Sequence, residues 1–361
     1  VSFSCPWQVP YGSFSVAIDP ISAWFLVPIL FLSGVCAFYG IDYLESYRSE
    51  KPLGSHGFLF NLLVAAMVLV VLARNGLLFL VAWEVMSLAS FFLVLFEDKD
   101  ESVSKAGWLY LVATHLGTGF LLVFFILLGA QSGSLDFDKM GKIAPSLSSL
   151  LFLLAVVGFG TKAGFVPFHV WLPEAHPAAP SHVSALMSGV MIKTGIYGLI
   201  RTVTFFDTPP AWWGWLLIGI GLVSGLFGIL FALAQQDIKR LLAYSSVENI
   251  GIITIGIGLG VLGLSRSSTT LCVLGFAGAF FHVLNHAAFK GLLFLGAGAV
   301  HHATGTRQMD RMGGLLRRMP LTGWMFLIGA VAICGLPPLN GFAGEFMLYM
   351  SIFGDVIPDS F

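Results

Sequence analysis

Long apolar segments recur along the chain and are separated by short polar connections. The chain has 361 residues, of which 57% are hydrophobic and 10% charged, and its mean hydropathy is +0.89. Soluble domains carry about 25% charged residues. Each apolar segment approaches the ~20 residues that cross a bilayer as a helix, where every backbone polar group must find a partner within the structure. We therefore predict an all-α polytopic membrane protein.

About ten transmembrane helices can be drawn, with boundaries good to a few residues. The predicted spans are 20–40, 57–74, 76–96, 106–130, 149–168, 183–204, 212–233, 241–263, 271–299 and 322–352. The connection at 73–75 is so short that the second and third spans are expected to form a helical hairpin.

The fifth and tenth predicted spans contain glycines and prolines that interrupt a helix. They are Gly158, Gly160, Gly164 and Pro167 in the fifth, and Gly335, Pro337, Pro338, Gly341 and Gly344 in the tenth. Such breaks at membrane depth usually line a cavity. Because the two spans lie five apart, the pattern predicts two inverted five-helix repeats with discontinuous helices. The repeats would cover about 57–204 and 212–361, the second being incomplete, within a single domain over 1–361.

Ionisable side chains lie inside many of these spans, although each costs ~2.5–3.5 kcal/mol in hydrocarbon. So many costly residues predict a polar path through the membrane. The predicted proton pathway consists of Glu84, Lys162, Lys193, His282, His286, Lys290 and Glu345.

His282, His286 and Lys290 follow an i, i+4, i+8 spacing and therefore share one helix face, rising ~12 Å. A ladder of proton-exchanging groups is the favoured interpretation. A metal site on the HxxxH pair, a haem, or structurally satisfied histidines are the alternatives.

Lys162 and Lys193 are the more specific candidates for proton exchange, because desolvation disfavours the charged form of a lysine. Glu84 is the candidate partner whose distance would switch Lys162 between holding and releasing a proton. The alternative is a static ion pair that fixes helix packing. Glu345 would be the terminal carrier of the second half, or else a carboxylate at a helix end facing water.

A proline-rich segment after the fifth span holds His169 and His176, which are predicted to feed protons at a cavity mouth. The alternative is that they are interfacial, with Trp171 as an aromatic anchor. Glu248 is a second-tier candidate for proton access. The nearby Asp237, Lys239 and Arg240 are interpreted as a solvated turn.

Several function classes are disfavoured by the sequence. Gly258, Gly260 and Gly263 spell GxGxxG, but they lie in an apolar segment without a preceding strand, so close helix contact explains them better than a dinucleotide. The four cysteines are far apart, and no metal or redox cofactor is predicted in this chain. A net charge of -1 and the lack of a basic run give no indication of nucleic-acid binding.

The loops after odd-numbered spans contain about twice as many lysines and arginines as the loops after even-numbered spans. This bias places the odd-side loops, including 301–320, in the cytoplasm of a protein of the inner membrane. Because the chain begins at Val1, we expect it to be a piece of a longer protein.

Five stretches resemble the antiporter-like family shared by respiratory complex I, Mrp-type antiporters and membrane-bound nickel–iron hydrogenases. The stretches are AWEVMSL, TKAGFVPFHVWLPEAHPAAPSHVSALMSGVMIKTGIYG, QQDIKRLLAYSSVENIG, HVLNHAAFKGLLFLGAG and GFAGEF. Within the family, PAAPSHVSALMSGVMIKTGIYG and YSSVENIG most resemble hydrogenase-4 component B and the formate hydrogenlyase membrane subunit.

The resemblance implies a protein of about fourteen helices, of which this chain would hold the third to the twelfth. It also implies that Glu84, Lys162, Lys193, the histidine–lysine helix and Glu345 carry protons. The expected function is a non-catalytic, proton-translocating membrane subunit of a redox-driven complex. The expected partners are other membrane subunits and a peripheral redox arm of the hydrogenase or quinone-reductase kind. The alternatives are a non-pumping anchor and a component of an Mrp-type cation/proton antiporter.

Overall fold

Membrane-length helices make up most of the structure, a computed structural model that describes residues 2–7, 13–140 and 143–356. Within those ranges, nine helical segments are long and apolar enough to cross a membrane. They match the first nine predicted spans to within about five residues at each end, except that the fifth segment extends to Ala178, beyond the predicted end at 168, and that the fifth and sixth are interrupted. The all-α membrane fold is therefore confirmed, with one small addition. Strands β1 (Ser2–Pro6) and β2 (Ser13–Ala17) form an antiparallel hairpin before the first helix.

The chain divides into two compact units, and the first comprises residues 1–163 and 190–207. Beside the hairpin, the described part of this unit contains six α-helices. They are α1 (Pro20–Glu45), α2 (Leu53–Leu72), α3 (Gly76–Val94), α4 (Glu101–Ser132), α5 (Pro145–Ala163) and α8 (Lys193–Val203).

The second unit comprises residues 164–189 and 208–361. Its helices are α6 (Leu172–Ala178), α7 (Ser181–Leu186), α9 (Ala211–Leu233), α10 (Ile238–Arg266), α11 (Thr269–Thr304), α12 (Leu315–Arg318), α13 (Pro320–Ile333) and α14 (Asn340–Val356). The division into two compact units does not test the predicted inverted repeats, which stay a prediction.

The predicted tenth span is not one helix. Helix α13 has 14 residues and α14 has 17, and both are shorter than the ~20 residues of a full crossing. The break lies at 334–339, where Gly335 has a φ of +64°. This is where the sequence predicts an interruption of the tenth span, so the predicted break is confirmed.

The predicted fifth and sixth spans are also discontinuous. Helix α5 ends at Ala163, directly after Lys162, and a 3₁₀ turn over Phe168–Trp171 leads into α6. In the sixth span, α7 passes into a π-helical turn over Met187–Met191, and α8 begins at Lys193. Turns of π geometry interrupt the regular backbone ladder and frequently mark functional positions.

A polar cluster ties the start of α1 to other elements of the first unit. Asp19 caps α1 by accepting from the backbone N–H of Ser22 at 2.8 Å. The guanidinium of Arg201 donates to both Asp19 oxygens at 2.7 and 2.9 Å, and Arg74 pairs with the same carboxylate at 3.1 Å. The cluster joins α1, the α2–α3 turn and α8.

Glycines let α9 and α10 approach closely in the second unit. A Cβ on Gly258 would lie 2.8 Å from the carbonyl oxygen of Gly214, and one on Gly221 would lie 2.7 Å from that of Gly251. Gly258 therefore serves close helix contact, as its sequence context predicts. Lys239 differs from its predicted place in a solvated turn, because it is buried and donates to the Ala179 carbonyl at 2.7 Å.

Candidate functional site: buried proton-exchanging groups in each unit

Lys162 is buried at the end of α5 and is held by hydroxyl groups. Its side chain is 2% exposed, and Nζ donates to Ser87 Oγ at 3.0 Å and to the Tyr110 hydroxyl at 2.9 Å. The ammonium also lies over the rings of Trp83 and Tyr110, 5.7 and 5.3 Å from their centroids. Two helices, α3 and α4, thus supply the polar contacts of one buried lysine.

The hydroxyls around Lys162 form a connected chain. The Tyr110 hydroxyl is 2.6 Å from Ser90 Oγ, which in turn donates to the Met86 carbonyl at 2.7 Å. Hydroxyls both donate and accept, so such a chain can reorient around either form of the lysine.

Glu84 lies on the same helix as Ser87 but is paired elsewhere. Its Oε2 is 3.3 Å from Nε2 of His115 on α4. Among the residues that the structure describes, no ion pair within 4 Å joins Glu84 to Lys162. The direct Glu84–Lys162 contact is thus not formed here, and its predicted switching role remains a proposal. Glu84 also lines an apolar groove of about 500 Å³ between α3 and α4.

Lys193 lies one residue after the π-helical turn, separated from it by Ile192. Its side chain is 2% exposed, and its neighbour Thr194 returns a hydrogen bond of 2.7 Å to the Met191 carbonyl. A second lysine in the first unit is thus buried at an irregularity of the helix backbone.

Lys290 is the buried lysine of the second unit. Nζ donates to Ser245 Oγ at 2.5 Å and to the Leu242 carbonyl at 2.7 Å, both on α10. Its side chain is 0% exposed. As with Lys162, the acceptors are neutral oxygens.

The rest of the α11 ladder also faces α10. His282 Nε2 is 2.9 Å from Asn249 Oδ1, while the amide nitrogen of Asn249 donates to the Ser245 carbonyl at 2.8 Å. The Asn249 oxygen can only accept, so His282 carries its proton on Nε2. His286, between the two, is buried with its ring 5.4 Å from that of Phe289. No metal-binding group of three His, Cys, Asp or Glu is found in the described ranges, so the metal interpretation gains no support.

Glu248 and Ser245 both line a cavity of about 300 Å³. Cys334, at the break between α13 and α14, lines the same cavity. The cavity therefore reaches from the helix break to the hydroxyl that holds Lys290.

Glu345 lies against the same break. A Cβ on Gly335 would be 2.5 Å from Glu345 Oε2, so the carboxylate is packed directly on the glycine. One residue earlier, a Cβ on Gly344 would lie 3.2 Å from Nδ1 of His282. The break and the ladder are thus brought to the same part of the unit.

The second-tier histidines lie in different surroundings. His176 is buried between Trp171 and Phe294, 5.9 Å from each ring, whereas His169 is partly exposed beside Tyr244. Trp171 is 0% exposed and is therefore not an interfacial anchor. The predicted role of both histidines in feeding protons stays a prediction.

Five contact residues are missing from the predicted site: Ser87, Tyr110, His115, Ser245 and Asn249. Some signal was present, since Ser87 and Glu84 stand at i, i+3 on one helix, and Ser245 and Asn249 stand at i, i+4. The polar stripe on α10 mirrors the spacing of His282, His286 and Lys290. The sequence alone does not show that the polar residues of α10 contact those of α11.

Residues 73–356 match the family described as NADH:quinone oxidoreductase/Mrp antiporter, TM. The match covers well over half of the chain. The chain belongs to this family. The predicted resemblance is therefore confirmed.

Two solved structures contain similar folds. The Mrp complex from Dietzia sp. superposes with a TM-score of 0.87 at 30% identity, covering 97% of this chain and 38% of that one. A membrane-bound sulfane sulfur reductase, an archaeal respiratory membrane complex, gives a TM-score of 0.84 at 26% identity, covering 93% and 67%.

Curated relatives in this family include components of hydrogenase and antiporter complexes. Hydrogenase-4 component B of Escherichia coli is 46% identical over 356 residues, covering 97% of this chain and 52% of that protein. Formate hydrogenlyase subunit 3 of the same organism is 38% identical, with coverages of 94% and 55%. A Na(+)/H(+) antiporter subunit from Alkalihalophilus pseudofirmus is 36% identical, with coverages of 98% and 44%. The chain spans about half the length of these relatives.

Proposed function

We propose that this chain is the proton-conducting part of a membrane subunit in a redox-driven complex of the hydrogenase-4 or formate hydrogenlyase kind. The observation that carries the proposal is the state of two buried lysines. Lys162 and Lys290 donate only to neutral oxygens, and within the described ranges neither has a carboxylate within 4 Å. A static ion pair would keep each lysine permanently charged. Neither lysine is held in a fixed ion pair in the described structure, and a proton carrier needs that freedom to exchange its proton.

Each unit would work by alternately loading and unloading its lysines. In the first unit the carriers are Lys162 and Lys193, with Glu84 as the charge that modulates Lys162. In the second unit they are His282, His286 and Lys290, followed by Glu345 as the terminal carrier. His169, His176 and Glu248 would provide access to this second set. The order Lys162, Lys193, α11 ladder, Glu345 is the proposed direction of transfer.

The proposed setting is the cytoplasmic membrane, with loops after odd-numbered spans, including 301–320, on the cytoplasmic side. Similarity to components of multi-subunit membrane complexes supports other membrane proteins as partners. A peripheral redox arm of the hydrogenase type would deliver the conformational or electrostatic change that disturbs Lys162.

Proton pumping by the reconstituted complex tests the proposal. Lys162→Ala and Glu345→Ala should each abolish acidification of vesicles while substrate oxidation by the redox arm continues. Lys105→Ala is the matched control, because that lysine is 75% exposed and pairs with Glu101 on the surface of α4. Unchanged coupling in both test variants would refute the proposal and favour a non-pumping anchor.

A component of a cation/proton antiporter is the second candidate function, supported by the similarity to a sodium/proton antiporter protein. It would use the same buried residues without electron flow. Sodium-dependent proton efflux from vesicles that lack any redox substrate would favour it over the redox-driven proposal.

A further inference from the structure

Proline deprives the end of α6 of a backbone hydrogen-bond donor. In a continuing helix the carbonyl of His176 would accept from the N–H four residues later, but that residue is Pro180, which has none. The hydroxyl of Ser184 donates to this carbonyl instead, at 2.7 Å. Buried carbonyls need such partners. The segment 172–184, called the strap below, therefore depends on side chains for some of its backbone hydrogen bonds.

Two cations from other elements hold the C-terminal end of α6. Lys239, in the first turn of α10, is 3% exposed and donates from Nζ to the Ala179 carbonyl at 2.7 Å. Arg307, just after α11, donates from Nη1 to the Pro177 carbonyl at 2.6 Å and pairs with Asp237, the N-cap residue of α10, at 3.1 Å. Lysine and arginine commonly bind the last carbonyls of a helix in this way. This end of α6 is thus tied to the start of α10 and the end of α11.

The N-terminal end of α6 is held by a different kind of contact. Glu174, in its first turn, accepts from Nη2 of Arg240, the residue that follows Lys239 on α10. The side chains of Arg240 and Glu174 are 41% and 40% exposed. Exposed ion pairs contribute little to stability, whereas hydrogen bonds from a cation to a buried oxygen are strong. One end of α6 is therefore anchored, and the other is held by a contact that breaks easily.

The same stretch of α10 carries the oxygens that hold Lys290. Leu242 comes two residues after Arg240, and its carbonyl accepts from Lys290 Nζ at 2.7 Å. Ser245, which accepts from the same ammonium, lies less than one turn further along the helix. Backbone hydrogen bonds connect successive turns of a helix, so its residues move together. A shift at the start of α10 therefore moves both acceptors relative to Lys290.

We propose that Glu174 and Arg240 form a latch that opens and closes as α6 slides along the start of α10. Packed helices move past one another by small shears of this kind. With the latch closed, both ends of α6 are tied to α10. With the latch open, only the C-terminal end stays tied, and the first turns of α10 are free to move the acceptors of Lys290. The inference rests on the proposed function and adds a regulator of proton exchange at Lys290.

Covalent closure of the latch is the first test. Glu174→Cys and Arg240→Cys are combined in the full-length subunit, with its other cysteines changed to serine, and the reconstituted complex is treated with a bis-methanethiosulfonate reagent. Cross-linking should lower proton flux several-fold, and a thiol reductant should restore it. The matched control cross-links Glu101→Cys to Lys105→Cys, which replace an exposed ion pair within α4, and should leave the flux unchanged. Complete cross-linking of the latch, established by mass spectrometry, with unchanged flux would overturn the proposal.

Hydrogen exchange in lipid nanodiscs tests the latch without any transport. In Arg240→Gln, the amides at 174–179 should exchange several-fold faster than in wild type, because local opening no longer has to break the latch. Amides at 254–262, further along α10, should exchange at the wild-type rate. The control is Arg311→Gln, which removes an exposed arginine beyond α11 and should leave the exchange at 174–179 unchanged. Identical exchange at 174–179 in Arg240→Gln and wild type would also overturn the proposal.

The latch and the proposed function fail in different experiments. Proton flux that persists in Lys290→Ala would overturn the proposed role of that lysine, and the exchange comparison would still decide whether the latch holds the strap. A contact that is only structural would give faster exchange in Arg240→Gln but no loss of flux on cross-linking. That combination would overturn the opening step.

Discussion

Lys290 and Ser245 are joined across α11 and α10 by a hydrogen bond of 2.5 Å from Nζ to Oγ. The same serine lines the cavity that contains Glu248 and Cys334. One hydroxyl thus separates the buried lysine from a space that reaches the break between α13 and α14. This relationship makes Ser245, which is absent from the predicted pathway, a position where proton access to Lys290 can be tested.

Replacing Ser245 with alanine should slow proton transport several-fold, because Lys290 would keep only the Leu242 carbonyl as an acceptor. Ser246→Ala is the matched control. Ser246 is also buried on α10 and bonded to another hydroxyl, that of Ser188 at 2.7 Å, so each variant loses one buried hydroxyl at a similar cost of about 1 kcal/mol. Proton flux in vesicles and thermal stability should be measured together. Equal loss of flux in both variants would contradict a specific role for Ser245.

Modification of Cys334 should block the cavity beside Glu248. In a variant where Cys5, Cys36 and Cys272 are serine, a small methanethiosulfonate reagent is expected to label Cys334 and to reduce proton flux, since the added group occupies part of a cavity of about 300 Å³. The flux should be restored by a thiol reductant. Full labelling, established by mass spectrometry, with unchanged flux would show that the cavity is not an access route.

Gly335→Ala should displace the Glu345 carboxylate, because the new Cβ would lie 2.5 Å from Oε2. Gly314 is a matched control, since its φ of +65° equals that of Gly335 within a degree and nothing lies within 4 Å of its Cβ position. Both alanines carry a backbone strain of about 1–2 kcal/mol. Stability should fall in both variants, and proton flux only in Gly335→Ala. If Gly314→Ala loses flux to the same extent, strain alone explains the result.

Asp19 should make the first unit sensitive to acid. Burial by itself raises the pKa of Asp19, but hydrogen bonds from Arg201 and Ser22 and the charges of Arg201 and Arg74 hold it well below its usual value. A group whose pKa is lowered on folding stabilises the fold above its unfolded pKa, near ~4, and this contribution is lost as the pH falls through the folded value.

Asp19→Asn is therefore expected to lower the free energy of unfolding by roughly 1–3 kcal/mol at neutral pH, a value reduced from that of a fully buried pair because Asp19 is partly exposed. The difference in the free energy of unfolding between the variant and wild type should become smaller as the pH falls below ~4. Thermal unfolding in detergent across that range measures it, with the exposed Asp42→Asn as control. A gap that stays constant with pH would show that the carboxylate charge is not responsible.

The path of the chain could be predicted to a large extent because bilayer thickness fixes helix length. In the part of the chain that the structure describes, nine predicted spans coincide with helical segments, and the breaks at Gly164 and Gly335 lie where glycine and proline cluster. Apolar composition runs through 322–352 and alone would indicate one continuous helix, whereas the glycines and prolines in the same stretch predict the break. The backbone stops being helical there at the Gly335–Pro338 segment, which hydropathy does not register.

The ionisable residues of the site could also be named, since each charged group in an apolar span is conspicuous. Their partners could not be named from the sequence. The sequence predicts Glu84 beside Lys162, and the structure places it against His115, because the rotation of α3 relative to α4 decides which neighbour a side chain reaches. The sequence also predicts Lys239 in water, and it is buried where α10 begins against the carbonyl of Ala179.

By itself the sequence determined that this is a multi-span membrane protein, where its helices run, and which costly charges they carry. Those features are local, since they depend on length, apolar content and the energy of a charge in lipid. Only the tertiary structure decided that Lys162 and Lys290 rest on hydroxyls and that Glu84 shares a contact with His115. Helix rotation and register fix those contacts over distances of 2.5–3.3 Å. The spacing of residues along one helix constrains distances within that helix. It does not determine which residues of a neighbouring helix they contact.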